Sequence, residues 1–229
     1  MKVAIAQLNY IIGDFEGNAK KMTDHIKKAR KDGADLILFS ELSVTGYYPH
    51  DLLEKKEFIR KAESWVNRIA KECNGIAAVV GAPRINEYER GKTLYNSAFF
   101  LAEGEIQSVH NKTLLPTYDI FDEYRHFEPN RDFGVVNYKG EKIAITICED
   151  LWDEQPTANE FGKDKLYTIS PMEELSKLDP DFVVNISASP FSYNQESWRK
   201  DVLISKAEKY NVPIFYVNQV GAQTELIFD

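Results

Sequence analysis

Lys142-Ile143-Ala144-Ile145-Thr146-Ile147 runs straight into Cys148-Glu149-Asp150-Leu151-Trp152. The first six residues read as a short strand, apolar toward both faces, which implies a sheet covered by other layers. The next five open with a thiol and two acids, and acids directly after a strand suit the first turn of a helix. A cysteine at such a strand-to-helix elbow lies near backbone N–H groups that can stabilise a thiolate and later an oxyanion.

Outward from this stretch the chain alternates strands and helices. Phe133 to Tyr138 pairs with Lys142 to Ile147 across Lys139-Gly140, and Leu94 to Ala102 pairs with Glu105 to Asn111 across Glu103-Gly104. Val3 to Leu8, Leu36 to Phe39, Ile76 to Gly81, Phe182 to Asn185 and Ile214 to Asn218 read as further strands. Asn18 to Lys31, ending at Asp32-Gly33, and Gln195 to Tyr210 read as helices. Lys55 to Cys73 is a third, with Phe58, Ala62, Trp65 and Ile69 on one face. The fold class is α/β. A four-layer α-β-β-α sandwich satisfies the pattern, and periodicity alone does not separate it from a three-layer open sheet.

The 229 residues, 43% hydrophobic, suffice for one large domain. The net charge of -8 argues against nucleic acid as a partner. No apolar run is long enough to cross a membrane, and the N-terminus lacks a cleavable signal. Two cysteines, Cys73 and Cys148, fit a reducing cytoplasm better than a disulfide scaffold.

Three reactive side chains stand at or just past strand ends, where α/β sheets gather ligands: Glu41, Lys112 and Cys148. A thiol needs a base. Among the four histidines only His110 and His126, flanking the Lys112 segment, qualify, so a Cys-His protease stays open. A carboxylate can do the same work in the right surroundings, and Glu41 lies between an apolar strand and the aromatic loop Tyr47-Tyr48-Pro49. The Lys112 ammonium can stabilise the oxygen of a tetrahedral intermediate, and Glu123 can hold the lysine in place. Each residue alone has an ordinary alternative: a core thiol, a loop carboxylate, a surface lysine. Cys73, at a helix end beside Asn74-Gly75, has no reactive surroundings.

At Glu41, Lys112 and Cys148 the chain resembles the nitrilase superfamily of carbon-nitrogen hydrolases. Ser40-Glu41-Leu42-Ser43-Val44-Thr45-Gly46-Tyr47, Lys112-Thr113-Leu114-Leu115-Pro116-Thr117-Tyr118 and Ile147-Cys148-Glu149-Asp150-Leu151-Trp152 look closest to one branch, the N-terminal glutaminase domains of glutamine-dependent NAD synthetases. Tyr48-Pro49-His50-Asp51-Leu52-Leu53 and Asn185-Ile186-Ser187-Ala188-Ser189-Pro190 look like that branch too. The resemblance implies the nitrilase-type sandwich and a Glu-Lys-Cys triad. Glu41 would be the general base, Cys148 the nucleophile that forms a thioester with glutamine, Lys112 the oxyanion stabiliser and Glu123 a second, orienting glutamate. Tyr118, Glu149 and Ser189 match positions that hold the glutamine. Six residues after that serine the branch usually carries a base, and here stands Gln195, with Arg199 as a substitute.

The resemblance further implies that the amidase step uses no metal or cofactor. ATP and magnesium would belong to a synthetase domain, absent from this sequence, where the ammonia amidates an adenylylated nicotinic acid adenine dinucleotide. Homo-oligomers are expected. Residues 1–229 would be one domain, incomplete at its C-terminus and with little turnover alone, because Glu225-Leu226-Ile227-Phe228-Asp229 looks like the start of a strand. Two other readings remain: a stand-alone amidase, nitrilase or carbamoylase acting on another small amide or nitrile, and a catalytically silent interaction module.

Overall fold

The computed structural model describes residues 1–154 and 166–229. Five strands, β1 (Val3–Ile5), β2 (Leu36–Leu38), β3 (Ala77–Ile85), β4 (Leu94–Ala102) and β5 (Glu105–Asn111), form one sheet in that order. Four more, β6 (Val135–Tyr138), β7 (Glu141–Ile147), β8 (Phe182–Ile186) and β9 (Ile214–Val217), form a second. Helices α1 (Phe15–Lys31), α2 (Lys56–Ala70), α3 (Pro171–Ser176) and α4 (Gln195–Tyr210) connect them, and β10 (Gly221–Gln223) pairs with β11 (Leu226–Phe228) as a hairpin. Wherever a helix links successive strands the strands run parallel, and the strands joined by short turns run antiparallel.

The alternation of side chains decides the layering. Ile143, Ile145 and Ile147 of β7 and Phe182, Val184 and Ile186 of β8 meet Leu36, Leu38, Ala77, Val79, Ala98 and Phe100 from the first sheet in one shared core. The opposite faces carry Ala144 and Val183, packed with Met172, Leu175 and Val202 of α3 and α4. On the far side Ile37, Ala78, Val80 and Phe99 pack under Met22, Ile26, Ala62, Val66 and Ile69 of α1 and α2. Both sheets are therefore buried on both faces, which gives the four-layer α-β-β-α sandwich and removes the three-layer alternative.

Several boundaries differ from the sequence reading. α1 starts at Phe15 because the Asp14 carboxylate accepts the Gly17 N–H at 2.9 Å. α2 stops at Ala70, and its buried face is Ile59, Ala62, Val66, Ile69 and Ala70, with Phe58 and Trp65 only at its margin. The six-residue α3 is too short to leave a periodic signal. The strand expected near Asp229 is present as β11, which pairs with β10, and Phe228 also bridges to Pro190.

Candidate active site

The site forms where strands of both sheets end. Cys148 immediately follows β7 and opens a 3-10 turn, Cys148–Leu151. Its φ of +43° lies in the left-handed region, which a side chain with a Cβ occupies only under constraint. Glu41 follows β2 by three residues, in a segment packed so tightly on β3 that a Cβ at Gly81 would collide with the Leu42 backbone. Lys112 is the first residue past β5, and its N–H donates to the Asn96 carbonyl at 2.8 Å. Glu123 lies on a short turn, Glu123–Arg125, and is buried.

These positions converge although 71 residues separate Glu41 from Lys112. The Lys112 Nζ donates to Glu41 Oε1 at 2.7 Å and to Glu123 Oε1 at 2.9 Å, with no solvent access to the lysine side chain. Asn96 Nδ2 donates to the same Glu41 oxygen at 2.7 Å, and the Ala188 N–H donates to the other at 3.1 Å. Tyr47 donates its hydroxyl to Glu123 at 2.8 Å. Cys148 lies in the field of this cluster, with Glu41 the strongest charge acting on it.

Beside the cluster is a cavity of about 870 Å3 whose wall includes Cys148, Glu149, Tyr118, Tyr167, Ser189 and Gln195. Tyr118 and Tyr167 each donate a hydroxyl to Glu149 Oε1 at 2.8 Å. Ser189 is fixed through its backbone, with the N–H donating to Asn218 at 2.8 Å and the carbonyl accepting from it at 2.9 Å. Arg199 stands behind the serine, its Nη2 3.4 Å from Ser189 Oγ and 3.0 Å from Asp229.

Burial dominates the electrostatics. It pushes the Cys148 thiol well above its usual range; the Glu41 carboxylate adds to this, and Lys112 only partly opposes it. Burial and the neighbouring carboxylates thus work against the thiolate that Lys112 and the backbone N–H groups of the elbow favour. Burial also raises Glu123, against the pull of Lys112, and raises Glu149, against the hydrogen bond from Tyr118. Burial alone would lower Lys112, but Glu123 and Glu41 raise it well above normal, so it stays an ammonium.

The histidines are placed elsewhere. His110 lines a separate cavity of about 780 Å3 that does not include Cys148, and burial lowers its pKa to about 4. His126 packs near the Tyr48 ring, with centroids 6.1 Å apart. Cys73 is wholly buried in the α1/α2 core, and its thiol is pushed up to about 12. Asn96 and Tyr167 escaped the sequence reading, and Tyr47 and Asp150 figured in it only as an aromatic loop residue and a helix-opening acid. Asn96 had a signal: a polar residue in the apolar run Leu94 to Ala102. Tyr47 and Tyr167 gain their partners only through the fold.

A four-layer sandwich with a thiol, a lysine and carboxylates gathered at its strand ends is the architecture of enzymes that cleave carbon–nitrogen bonds, and the chain belongs to the carbon-nitrogen hydrolase family, whose model matches residues 2–174. Within it the chain is 39% identical over 99% of its length to a glutamine-dependent NAD(+) synthetase of Synechocystis sp. and 36% identical over its full length to that of Thermotoga maritima. It spans 41% and 37% of those relatives, about two fifths of their length. A glutamine-dependent NAD+ synthetase from Acinetobacter baumannii superposes with a TM-score of 0.86 at 36% identity, covering 99% of this chain and 40% of that one. An amidase from Nesterenkonia sp. shares the fold, with a TM-score of 0.80 at 22% identity over all of this chain and 80% of its own.

Proposed function

We propose that this domain hydrolyses the side-chain amide of glutamine through a thioester on Cys148. In the full-length protein the ammonia would serve a synthetase part that makes NAD from nicotinic acid adenine dinucleotide. The observation that carries the reading is the Lys112 ammonium, 2.7 Å from Glu41 and 2.9 Å from Glu123, beside a cavity walled by Cys148 and Glu149. Relatives named as glutamine-dependent NAD(+) synthetases, matched along the whole chain, supply the substrate class.

In this reading Glu41 takes the thiol proton as sulfur attacks the amide carbon. The developing oxyanion is met by Lys112 and the N–H groups of the elbow. Ammonia leaves with the proton returned from Glu41. Glu41 then activates water, which cleaves the thioester to glutamate and restores the thiol. Glu123 holds Lys112 in place. Glu149, positioned by Tyr118 and Tyr167, receives the substrate ammonium. The substrate carboxylate goes to Ser189, with Arg199 replacing the cation missing at Gln195.

The amidase step runs on side chains alone, and ATP and magnesium belong to the synthetase part. The cytoplasm is the proposed compartment; both cysteines are free thiols, and no helix among the described residues is long and apolar enough to cross a membrane. A homo-oligomer is the proposed assembly, supported by exposed Phe191, Trp198 and Ile204.

The test is ammonia release from glutamine against a panel of other small amides, nitriles and carbamoyl compounds. Glutamine should be preferred, and Cys148→Ala should abolish the release. Turnover of another amide with none of glutamine would move the domain to the stand-alone amidases.

A further inference from the structure

Lys112 and Cys148 belong to different segments, one leaving each sheet, yet chemistry at one carbonyl needs them in fixed register. A single buried carboxylate joins the two segments. Asp150 is 2% exposed. Its Oδ1 accepts the N–H of Thr113 at 2.9 Å and of Leu114 at 2.9 Å, the two residues after Lys112. Its Oδ2 accepts the N–H of Ile147 at 2.9 Å, the residue before Cys148. Both oxygens are thereby used, each on a different side of the site.

We propose that Asp150 is a positioning residue that clamps the Lys112 segment to the Cys148 elbow and so sets the distance between oxyanion stabiliser and nucleophile. The proposal rests on Cys148 being the nucleophile, the reading given above. The geometry asks for a carboxylate. Asparagine offers one acceptor oxygen and one NH2 group, so at least one of the three backbone N–H groups would face a donor. Glutamate would move both oxygens by one methylene. The clamp also gives a reason for the left-handed φ of +43° at Cys148, since the elbow is held from both sides: Ile147 is tied back to Asp150 just as Asp150 is tied to the lysine segment.

Asp153 is the internal comparison. It is also buried and lies on the same stretch, but its partner is the ammonium of Lys206 on α4 at 2.6 Å. A merely structural role for Asp150 would make the two acids behave alike.

The experiment compares Asp150→Asn, Asp150→Glu and Asp153→Asn in the same chain. Two readouts are used: steady-state ammonia release from glutamine, and alkylation of Cys148 by chloroacetamide, which needs no glutamine recognition. Asp150→Asn should lower kcat by about 100-fold, the scale of a displacement near 1 Å, with KM within about threefold. Alkylation of Cys148 should fall at least about tenfold, and Asp150→Glu should lie between Asn and the unaltered chain. Asp153→Asn should melt lower yet keep both rates within about threefold. A folded Asp150→Asn protein with unchanged or faster rates, or equal losses in Asp150→Asn and Asp153→Asn, overturns the clamp. Should Asp150→Asn fail to fold, hydrogen exchange in the unaltered chain decides. The amides of Thr113, Leu114 and Ile147 should be protected alike, and fast exchange at Thr113 and Leu114 beside a protected Ile147 overturns it. No ammonia from glutamine, with the alkylation difference intact, would remove the substrate reading and leave the clamp standing.

Discussion

The ammonium of Lys112 and the carboxylate of Glu41 meet at 2.7 Å with neither side chain exposed to water. Glu123 stands on the other side of the same nitrogen at 2.9 Å. One cation thus neutralises two buried acids, and its removal leaves both uncompensated. Lys112→Ala should destabilise the fold by about 3–5 kcal/mol, the scale for breaking a buried ion pair from one side. It should also abolish amide hydrolysis in whatever fraction folds. Thermal melts alongside ammonia release check both, and a variant that melts like the parent would contradict the charge balance.

A Cys-His mechanism and a Cys-Glu mechanism part ways at single substitutions. Glu41→Gln should lower kcat by at least about a thousandfold, because it removes the acceptor of the thiol proton while keeping the shape. His110→Gln and His126→Gln should stay within about threefold of the parent. Loss of activity in either histidine variant, at unchanged stability, would reopen the protease alternative.

The two thiols should differ in reactivity with a glutamine analogue carrying a diazo ketone. Cys148 borders the cavity, next to the proposed base Glu41; Cys73 lies in the α1/α2 core with its thiol pushed up to about 12. Peptide mapping should find the label on Cys148 only. Equal labelling would contradict the assignment.

Carboxylate recognition is tested at Arg199 and Gln195. Arg199→Gln should raise KM for glutamine by about tenfold or more, with little change in kcat, since the lost interaction is the same in ground and transition states. Hydrolysis of butyramide, which lacks the α-carboxylate, should not change. Gln195→Arg should lower KM for glutamine only. Equal effects on both amides would mean that Arg199 acts through packing.

Glu154 gives a pH prediction. Hydrogen bonds from Lys206 and Lys209 lower its pKa from 4.5 to about 2. A depressed carboxylate stabilises the fold above its unfolded pKa, and the contribution is lost as pH falls through the folded one. Glu154→Gln should therefore cost roughly 1 kcal/mol at pH 7, allowing for partial solvent screening. The difference should shrink between about pH 4.5 and about pH 2, a window that denaturant melts can follow.

What could be read from the sequence follows from local physics. The both-faces-apolar pattern of Lys142 to Ile147 and Phe182 to Asn185 announced buried sheets, and the structure packs Ile143, Ile145, Ile147, Phe182 and Val184 into the inter-sheet core and Ala144 and Val183 under α3 and α4. Glu41, Lys112 and Cys148 were visible as reactive side chains at or just past strand ends. Their partners were less so. Tyr47 reaches Glu123 across 76 residues, and Ala188 reaches Glu41 through a backbone N–H that has no side-chain signature. The upward push on the Cys148 thiol has no local signature, because burial depends on the whole fold.

The left-handed φ of +43° at Cys148 has a consequence for stability as well as for chemistry. A non-glycine residue held there costs on the order of 1–3 kcal/mol, and glycine relieves it. Cys148→Gly should thus leave an inert protein that outlasts its parent on heating. The side chain that carries the proposed reaction thus stands where the backbone favours glycine, and a silent, sturdier sandwich lies one substitution away.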